Sequence, residues 1–280
     1  MKNLVVAVFI LGFFTACSIL DPFSKESIQK AQISCVAGSG SACHTVAVDY
    51  AKNKNDYENA AKFFNKACGL GYEKSCYNLG VLYLNSKGVS QNLSKAKKLF
   101  ENSCKSGIGE SCYHLGLIYQ KALGVKQDYS MAREFFEKSC DKGYGAACSS
   151  LGELYRDGID FRQDYEKALT LFKKACDKKS LNGCYNLAYA NEFAQGVSLN
   201  LDKAKDIYDK ACQGGNIQSC KALASMFISG KLEESDEIQK LQNAAKFTQM
   251  ACDFGDNESC KTAQMIEKTI IDKQSNLPRF

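Results

Sequence analysis

Two prolines in 280 residues leave room for long uninterrupted helices. Two histidines, His44 and His114, are too few to build a metal centre from imidazoles, and the fifteen cysteines include neither a CxxC zinc pair nor a CxxCH haem site. No cofactor or metal is expected. No run of interleaved aromatic and basic residues suits RNA. Lysine clusters such as Lys95, Lys97 and Lys98, or Lys173 and Lys174, have acids nearby in a chain of net charge +5, so they read as solvated helix faces and not as a nucleic-acid surface. The apolar run Leu4 to Phe14 is too short to span a membrane.

With zinc and haem excluded, fifteen cysteines point to an oxidising compartment, either periplasmic or outside the cell. Fourteen of them fall into frames of two cysteines with seven residues between: Cys35/Cys43, Cys68/Cys76, Cys104/Cys112, Cys140/Cys148, Cys176/Cys184, Cys212/Cys220 and Cys252/Cys260. From Cys68 to Cys212 the frame recurs every 36 residues, so the chain is a repeat protein. In one unbroken helix the two Cα atoms of a frame would be about 12 Å apart, beyond the roughly 7 Å a disulfide spans. A bridge therefore requires a turn. Gly38, Gly71, Gly107, Gly143, Gly215 and Gly255 each lie three residues after a first cysteine, where a left-handed residue ends a helix; the exception is Lys179. Each frame reads as a helix end, a tight turn and a helix start tied by sulfur.

Residues 1–16 read as a signal peptide and 17–23 as a linker. The segment Phe14-Thr15-Ala16-Cys17 resembles the lipobox of bacterial lipoproteins, with Phe14 in place of the usual leucine-like residue. Cys17, the one cysteine left without a frame, is the expected lipidation site and the only expected route to a membrane.

Residues 24–273 carry the repeats, each with two helical patterns. In the A pattern the second cysteine is followed at three, four and seven residues by apolar, small and aromatic residues, as in Cys112, Leu115, Gly116 and Tyr119. A recurring mid-helix glycine (Gly80, Gly116, Gly152) costs about 1 kcal/mol against alanine and so implies close approach of a neighbouring helix. After a loop that carries Gly88, Gly124 or Gly196 but lacks the glycine in the first unit, Asp56, Asn92, Asp128, Asp164 and Asn200 stand as N-caps of the B pattern, whose buried stripe runs Tyr129, Ala132, Phe135, Phe136 or Tyr165, Ala168, Leu171, Phe172. The unit after Cys220 has four extra residues, expected in a loop with the acidic stretch Glu233 to Glu237. Residues 274–280 are expected as a frayed tail.

Together the period, the cysteine frame and the glycine column resemble Sel1-like repeats, relatives of tetratricopeptide repeats, and in particular the Helicobacter cysteine-rich proteins. The resemblance implies an all-α, right-handed α/α superhelix of disulfide-stapled hairpins. It also implies a penicillin-binding or weak β-lactamase activity, or a secreted role in host interaction. The residues supply no catalytic motif for the first. SxxK occurs at Ser27/Lys30, Ser94/Lys97 and Ser139/Lys142, about as often as chance allows, while SDN and KTG are absent. Whether the chain is an enzyme stays open at this level.

Binding has the better physical case, because a solenoid exposes a long concave surface, here lined by the A helices. The expected ligand residues are Tyr77, Asn78, Tyr113, His114, Ser150, Tyr185 and Asn186 just after the second cysteines, with Glu153 and Tyr189 one turn on. The expected partner is a peptide or protein; peptidoglycan fragments or β-lactams are the cell-wall-related alternatives.

Overall fold

The structure, a computed structural model, describes residues 23–160, 162–232 and 236–275. The signal peptide, Cys17, Glu233 to Ser235 and residues 276–280 lie outside these. The described residues form fourteen helices. B-type helices are α1 (Lys25–Val36), α3 (Tyr57–Gly69), α5 (Leu93–Lys105), α7 (Tyr129–Asp141), α9 (Tyr165–Asp177), α11 (Leu201–Gln213) and α13 (Glu237–Asp253). A-type helices alternate with them: α2 (Gly40–Lys52), α4 (Glu73–Asn85), α6 (Gly109–Gln120), α8 (Gly145–Asp157), α10 (Leu181–Glu192), α12 (Ile217–Ile228) and α14 (Asn257–Ser275).

The corners explain the cysteine spacing. Each B helix ends in a Schellman motif. In α5 the Gly107 amide donates to Cys104 O at 3.0 Å and the Ile108 amide to Ser103 O at 3.0 Å, with Gly107 left-handed at φ 92°. Ile108, the last residue of the motif, is also the N-cap of α6, so no linker separates the helices. The first cysteine then sits two residues before the cap of one helix and the second at the fourth position of the next. The same two hydrogen bonds recur at all seven frames, and at the exceptional one Lys179 takes the left-handed conformation with φ 62°. The folded-back chain brings the Cα atoms of the six measured bridges, Cys35–Cys43, Cys104–Cys112, Cys140–Cys148, Cys176–Cys184, Cys212–Cys220 and Cys252–Cys260, to between 4.4 and 4.8 Å. Cys68 and Cys76 are disulfide-bonded as well.

All five expected B-helix caps form. The side chains of Asp56, Asn92, Asp128, Asp164 and Asn200 each accept from the backbone amide three residues on. Asp236 caps α13, and the extra residues of that unit lengthen the helix to 17 residues where α3, α5, α7, α9 and α11 have 13, so Glu237 is helical and not part of a loop. Likewise α14 runs through Ser275, past the expected start of the tail.

The chain divides into two compact units, one ending at Ser75 and the other starting at Cys76, within α4. In the first, α2 packs on α3 with Tyr50 stacked on Phe63 at 5.4 Å, and His44 lies against Tyr72 and Phe64 with its Nδ1 2.8 Å from Ser75 Oγ. Asp49, nearly buried, is paired with Lys54 at 2.7 Å.

In the second unit the mid-helix glycines receive the aromatic rings of the following B helices. A Cβ placed on Gly80, Gly116 or Gly152 would lie 2.7, 2.4 or 2.6 Å from the ring of Phe100, Phe136 or Phe172, all fully or almost fully buried. Each ring is worth roughly 2–3 kcal/mol of burial, far more than a glycine costs its helix. In the next hairpin Tyr208 takes the ring position and Ala188 keeps the facing column small.

Two stability changes follow for the oxidised protein in urea titrations. Gly116→Ala is expected to lose about 1–3 kcal/mol by overpacking against Phe136, with part of the loss restored by Phe136→Leu. Lys179→Gly is expected to gain about 0.5 kcal/mol, since glycine removes the left-handed strain but adds freedom to the unfolded chain.

Candidate functional site

The expected ligand residues fall into two groups in the second unit. Tyr77, Tyr113 and His114 build an aromatic cluster. The His114 ring is stacked on Phe100 at 4.9 Å with an interplanar angle of 10°, and its Nε2 is 3.4 Å from the Tyr77 hydroxyl. Tyr113 packs on Phe136 and Tyr144. Burial pushes the Tyr77 hydroxyl up to about 12 and raises that of Tyr113, against a hydrogen bond with Ser150. Burial also depresses the His114 imidazole, although Glu110 works the other way, and its Nδ1 is buried without a hydrogen-bond partner. Asn78 and Ser150 are half-buried beside this cluster. These rings hold successive hairpins together.

Glu153, Tyr185, Asn186 and Tyr189 form the second group, lining a cleft of about 630 Å³. Helix α8 supplies Glu153, Arg156 and Asp157, α10 supplies Asn182, Tyr185, Asn186 and Tyr189, and α12 supplies Gln218; Gln163, Tyr165 and Gln195 complete the lining. Positions 182, 185, 186 and 189 share one helical face, as the A pattern requires. Asn186, 4% exposed, ties the two helices together. Its Nδ2 donates to Glu153 Oε1 at 2.8 Å and to Ser149 Oγ at 3.2 Å, while its Oδ1 accepts from the Arg156 guanidinium at 3.1 Å. Arg156 is further held by both oxygens of Asp157, at 2.7 and 3.2 Å, and this hydrogen-bonded partner raises its pKa.

The tyrosines are braced from behind. Tyr185 lies 6.2 Å from Tyr189 and 5.7 Å from the buried Tyr208, and Tyr189 packs on Phe193 at 4.4 Å. The Tyr208 hydroxyl, absent from the phenylalanines of the equivalent positions, donates to the buried carboxylate of Glu192 at 2.9 Å; Lys231 pairs with the other oxygen at 2.8 Å.

Several cleft residues escape the repeat pattern. Tyr165, assigned to a buried stripe, is 36% exposed and lines the cleft, because it is the first residue of α9 and has no preceding turn to cover it. Arg156 and Asp157 stand where other units carry Leu84 and Asn85 or Gln120 and Lys121, a change of charge at one repeat position that is visible in the sequence. Gln163 belongs to a column with Gln91 and Gln127, each just before a B cap. All three donate back to an A-helix carbonyl: Leu84, Gln120 and Arg156 respectively.

Three of the six SxxK residues, one from each motif, are engaged elsewhere. Ser139 is buried and donates to Gly109 O at 2.7 Å, Lys97 lies 3.6 Å from Glu101, and Lys30 is paired with Glu26 at 2.6 Å.

Stacked helix hairpins with a bridge at each junction and a polar cleft between A helices define a disulfide-stapled repeat scaffold, an architecture that fits a protein-interaction role. The Sel1 repeat model matches residues 52–72, 73–108, 109–144, 145–180 and 181–216. The chain belongs to the Sel1 repeat family.

Among relatives, it is 48% identical over 42 residues to HcpC of Helicobacter pylori, a protein that carries a β-lactamase name; the match spans 15% of this chain and 14% of the relative. A Sel1 repeat protein from Oxalobacter formigenes has the same fold, with TM-score 0.72 and 21% identity over 81% of this chain and 99% of that one. So does c5321, a protective antigen of uropathogenic Escherichia coli, with TM-score 0.68 and 19% identity over 86% and 59%. The bridged cysteines are consistent with an extracytoplasmic protein, and no described helix is long and apolar enough to cross a membrane.

The depressed imidazoles give stability a pH dependence. His44, lowered by burial and by Lys74, and His114 both bind protons more readily in the unfolded chain than in the fold. Their contribution is therefore complete above the ordinary value of 6.5 and is lost as pH falls below it through the folded pKa. Urea midpoints are expected to drop between about pH 7.5 and 5.5, and His114→Phe, which keeps the stack on Phe100, is expected to flatten that drop.

Proposed function

We infer that the protein is an exported Sel1 repeat scaffold that binds an extended peptide, presented by a protein partner, in the cleft between α8 and α10. The observation that carries this reading is the lining. Five carboxamides (Gln163, Asn182, Asn186, Gln195, Gln218) and three tyrosines face one volume of about 630 Å³. Carboxamides donate and accept in the pattern that backbone N–H and C=O groups need, and tyrosines offer flat apolar contact with a polar end. The binding energy of such a site does not depend on a single side chain of the peptide. Asn186, fixed by three hydrogen bonds, loses little freedom when a ligand arrives. Of the nine residues expected to contact ligand, this reading keeps Glu153, Tyr185 and Tyr189 at the contact surface, makes the buried Asn186 the residue that orients Glu153 and Arg156, and gives Tyr77, Asn78, Tyr113, His114 and Ser150 a supporting role. Export through residues 1–16, with Cys17 lipidated, belongs to the same proposal, and the oxidising chemistry of the bridges supports it.

The name of the Helicobacter pylori relative raises β-lactam hydrolysis as a second reading. Against it stand the absence of SDN and KTG from the sequence and the engagement of one member of each SxxK pair, Lys30, Lys97 and Ser139.

Random extended nonapeptides displayed on phage and selected on the oxidised protein provide the test. Enriched peptides are expected to bind Tyr185→Ala and Asn186→Ala about tenfold more weakly, and Tyr77→Ala within about twofold of the parent. Failure to enrich any peptide relative to a Tyr185→Ala/Asn186→Ala double variant would remove the peptide reading. A chromogenic cephalosporin is expected to be turned over no faster than in buffer. Sustained turnover that survives repeat purification would put the hydrolase in the scaffold's place.

A further inference from the structure

We propose that the cleft selects a peptide bearing a lysine or arginine side chain, which enters between the tyrosine faces and Glu153. The proposal rests on the peptide-binding reading above and adds the chemistry of the side chain recognised.

The charge in the lining is unbalanced. It carries two carboxylates, Glu153 and Asp157, one guanidinium, Arg156, and no lysine. Arg156 is not presented to ligand as a free cation. Both Asp157 oxygens occupy its fork at 2.7 and 3.2 Å, and a further N–H is given to Asn186. An incoming carboxylate would have to displace Asp157 and then face Glu153. The Arg156–Asp157 pair is therefore close to neutral, and the charge left over is that of Glu153. Its Oε1 accepts from Asn186 at 2.8 Å and from Ser149 at 3.4 Å, which aims the carboxylate without supplying a positive partner.

The second component is aromatic. Tyr165, Tyr185 and Tyr189 line the same volume, and a cation over a tyrosine face is attracted by the ring quadrupole. A lysine of this chain already uses a tyrosine face in this way, Lys54 on Tyr50 at 4.1 Å from the ring centre, while Lys167 meets Tyr155 at its hydroxyl, 2.6 Å away. The cleft tyrosines carry no such lysine among the described cation–ring contacts. Their rings are held in place from behind, Tyr185 by Tyr208 and Tyr189 by Phe193, so little ordering is needed when a cation arrives. A long aliphatic stem ending in one positive charge matches both components: the stem lies along the rings and the head reaches Glu153.

A peptide recovered from the selection above is synthesised with lysine, norleucine or glutamate at its central contact position, and binding to the full oxidised protein is measured by calorimetry. Lysine is expected to be preferred to norleucine about tenfold, the sum of one cation–aromatic and one partly exposed ion-pair contribution, and the preference should shrink as salt is raised. Glu153→Gln, which retains an oxygen for Asn186, is expected to remove the ion-pair share and cut the lysine preference over norleucine to about threefold, with a weaker salt dependence. Asp157→Asn frees the Arg156 fork and is expected to raise the affinity for the glutamate peptide several-fold. Equal binding of the three peptides to the parent, or a preference for glutamate, would overturn the charge selection and leave the peptide site standing. Absence of binding by all three would overturn both.

Discussion

The structure depends on a left-handed residue three positions after the first cysteine of each frame. It closes the Schellman pair of hydrogen bonds and hands the chain directly to the N-cap of the next helix. Once cap and motif share a residue, the distance from the second-last residue of one helix to the fourth residue of the next is fixed at eight residues, the spacing of the cysteines. The bridge therefore records the corner and does not create it. What sulfur adds is persistence. Closing a nine-residue loop stabilises by about 2.5 kcal/mol in the chain-entropy picture, and each corner carries its own closure. That matters for a repeat array, in which each hairpin contacts mainly its neighbours and no single large core holds the chain together.

The corner sets the position of the next packing constraint. With the A helix started at a fixed residue, the fourth position beyond its cysteine faces the B helix that follows, and only a small residue fits beneath a ring there. Gly80, Gly116 and Gly152 against Phe100, Phe136 and Phe172 are one solution used three times. Ala188 against Tyr208 is a variant that brings a hydroxyl into a dry interior. A buried hydroxyl without a partner costs roughly 1–3 kcal/mol. Glu192 meets that demand and in turn acquires a buried charge, which Lys231 balances from the next unit. Three departures from the repeat are thus linked by one added oxygen, and they lie directly behind Tyr185 and Tyr189.

This contrast explains what was legible in the sequence. Corners, caps and the glycine column are repeated demands of backbone geometry, so they appear as columns; even Lys179 was visible as the one non-glycine at a position that turns out to be left-handed. The cleft is made of non-repeated residues. Sequence spacing identified the helical face bearing Tyr185, Asn186 and Tyr189, because periodicity reports which side of a helix a residue is on. It did not separate them from Tyr77, Tyr113 and His114, which share that face but pack on Phe100, Phe136 and Tyr144. Whether a tyrosine contacts ligand or a neighbouring ring is decided by what lies one repeat away. Arg156 and Gln163 were missed for a similar reason. A guanidinium held by Asp157 and a glutamine anchored to a helix-end carbonyl acquire their orientation from partners that single columns do not reveal.

A repeat scaffold can be specific only where its repeats differ, since identical units offer a ligand identical surfaces. In α6 the two positions after the second cysteine are Tyr113 and His114, rings that fill the space between hairpins. In α8 the same two positions are Ser149 and Ser150, and a cleft opens between α8 and α10. Of the two, Ser149 stands on the side of α10, whereas Ser150 meets Tyr113 of α6. Ser149 then has room to receive Asn186, and Asn186 carries Glu153 and Arg156 into one network. The corner fixes where every A helix begins, and the small side chain of Ser149 is where α8 leaves room for the network that frames the cleft.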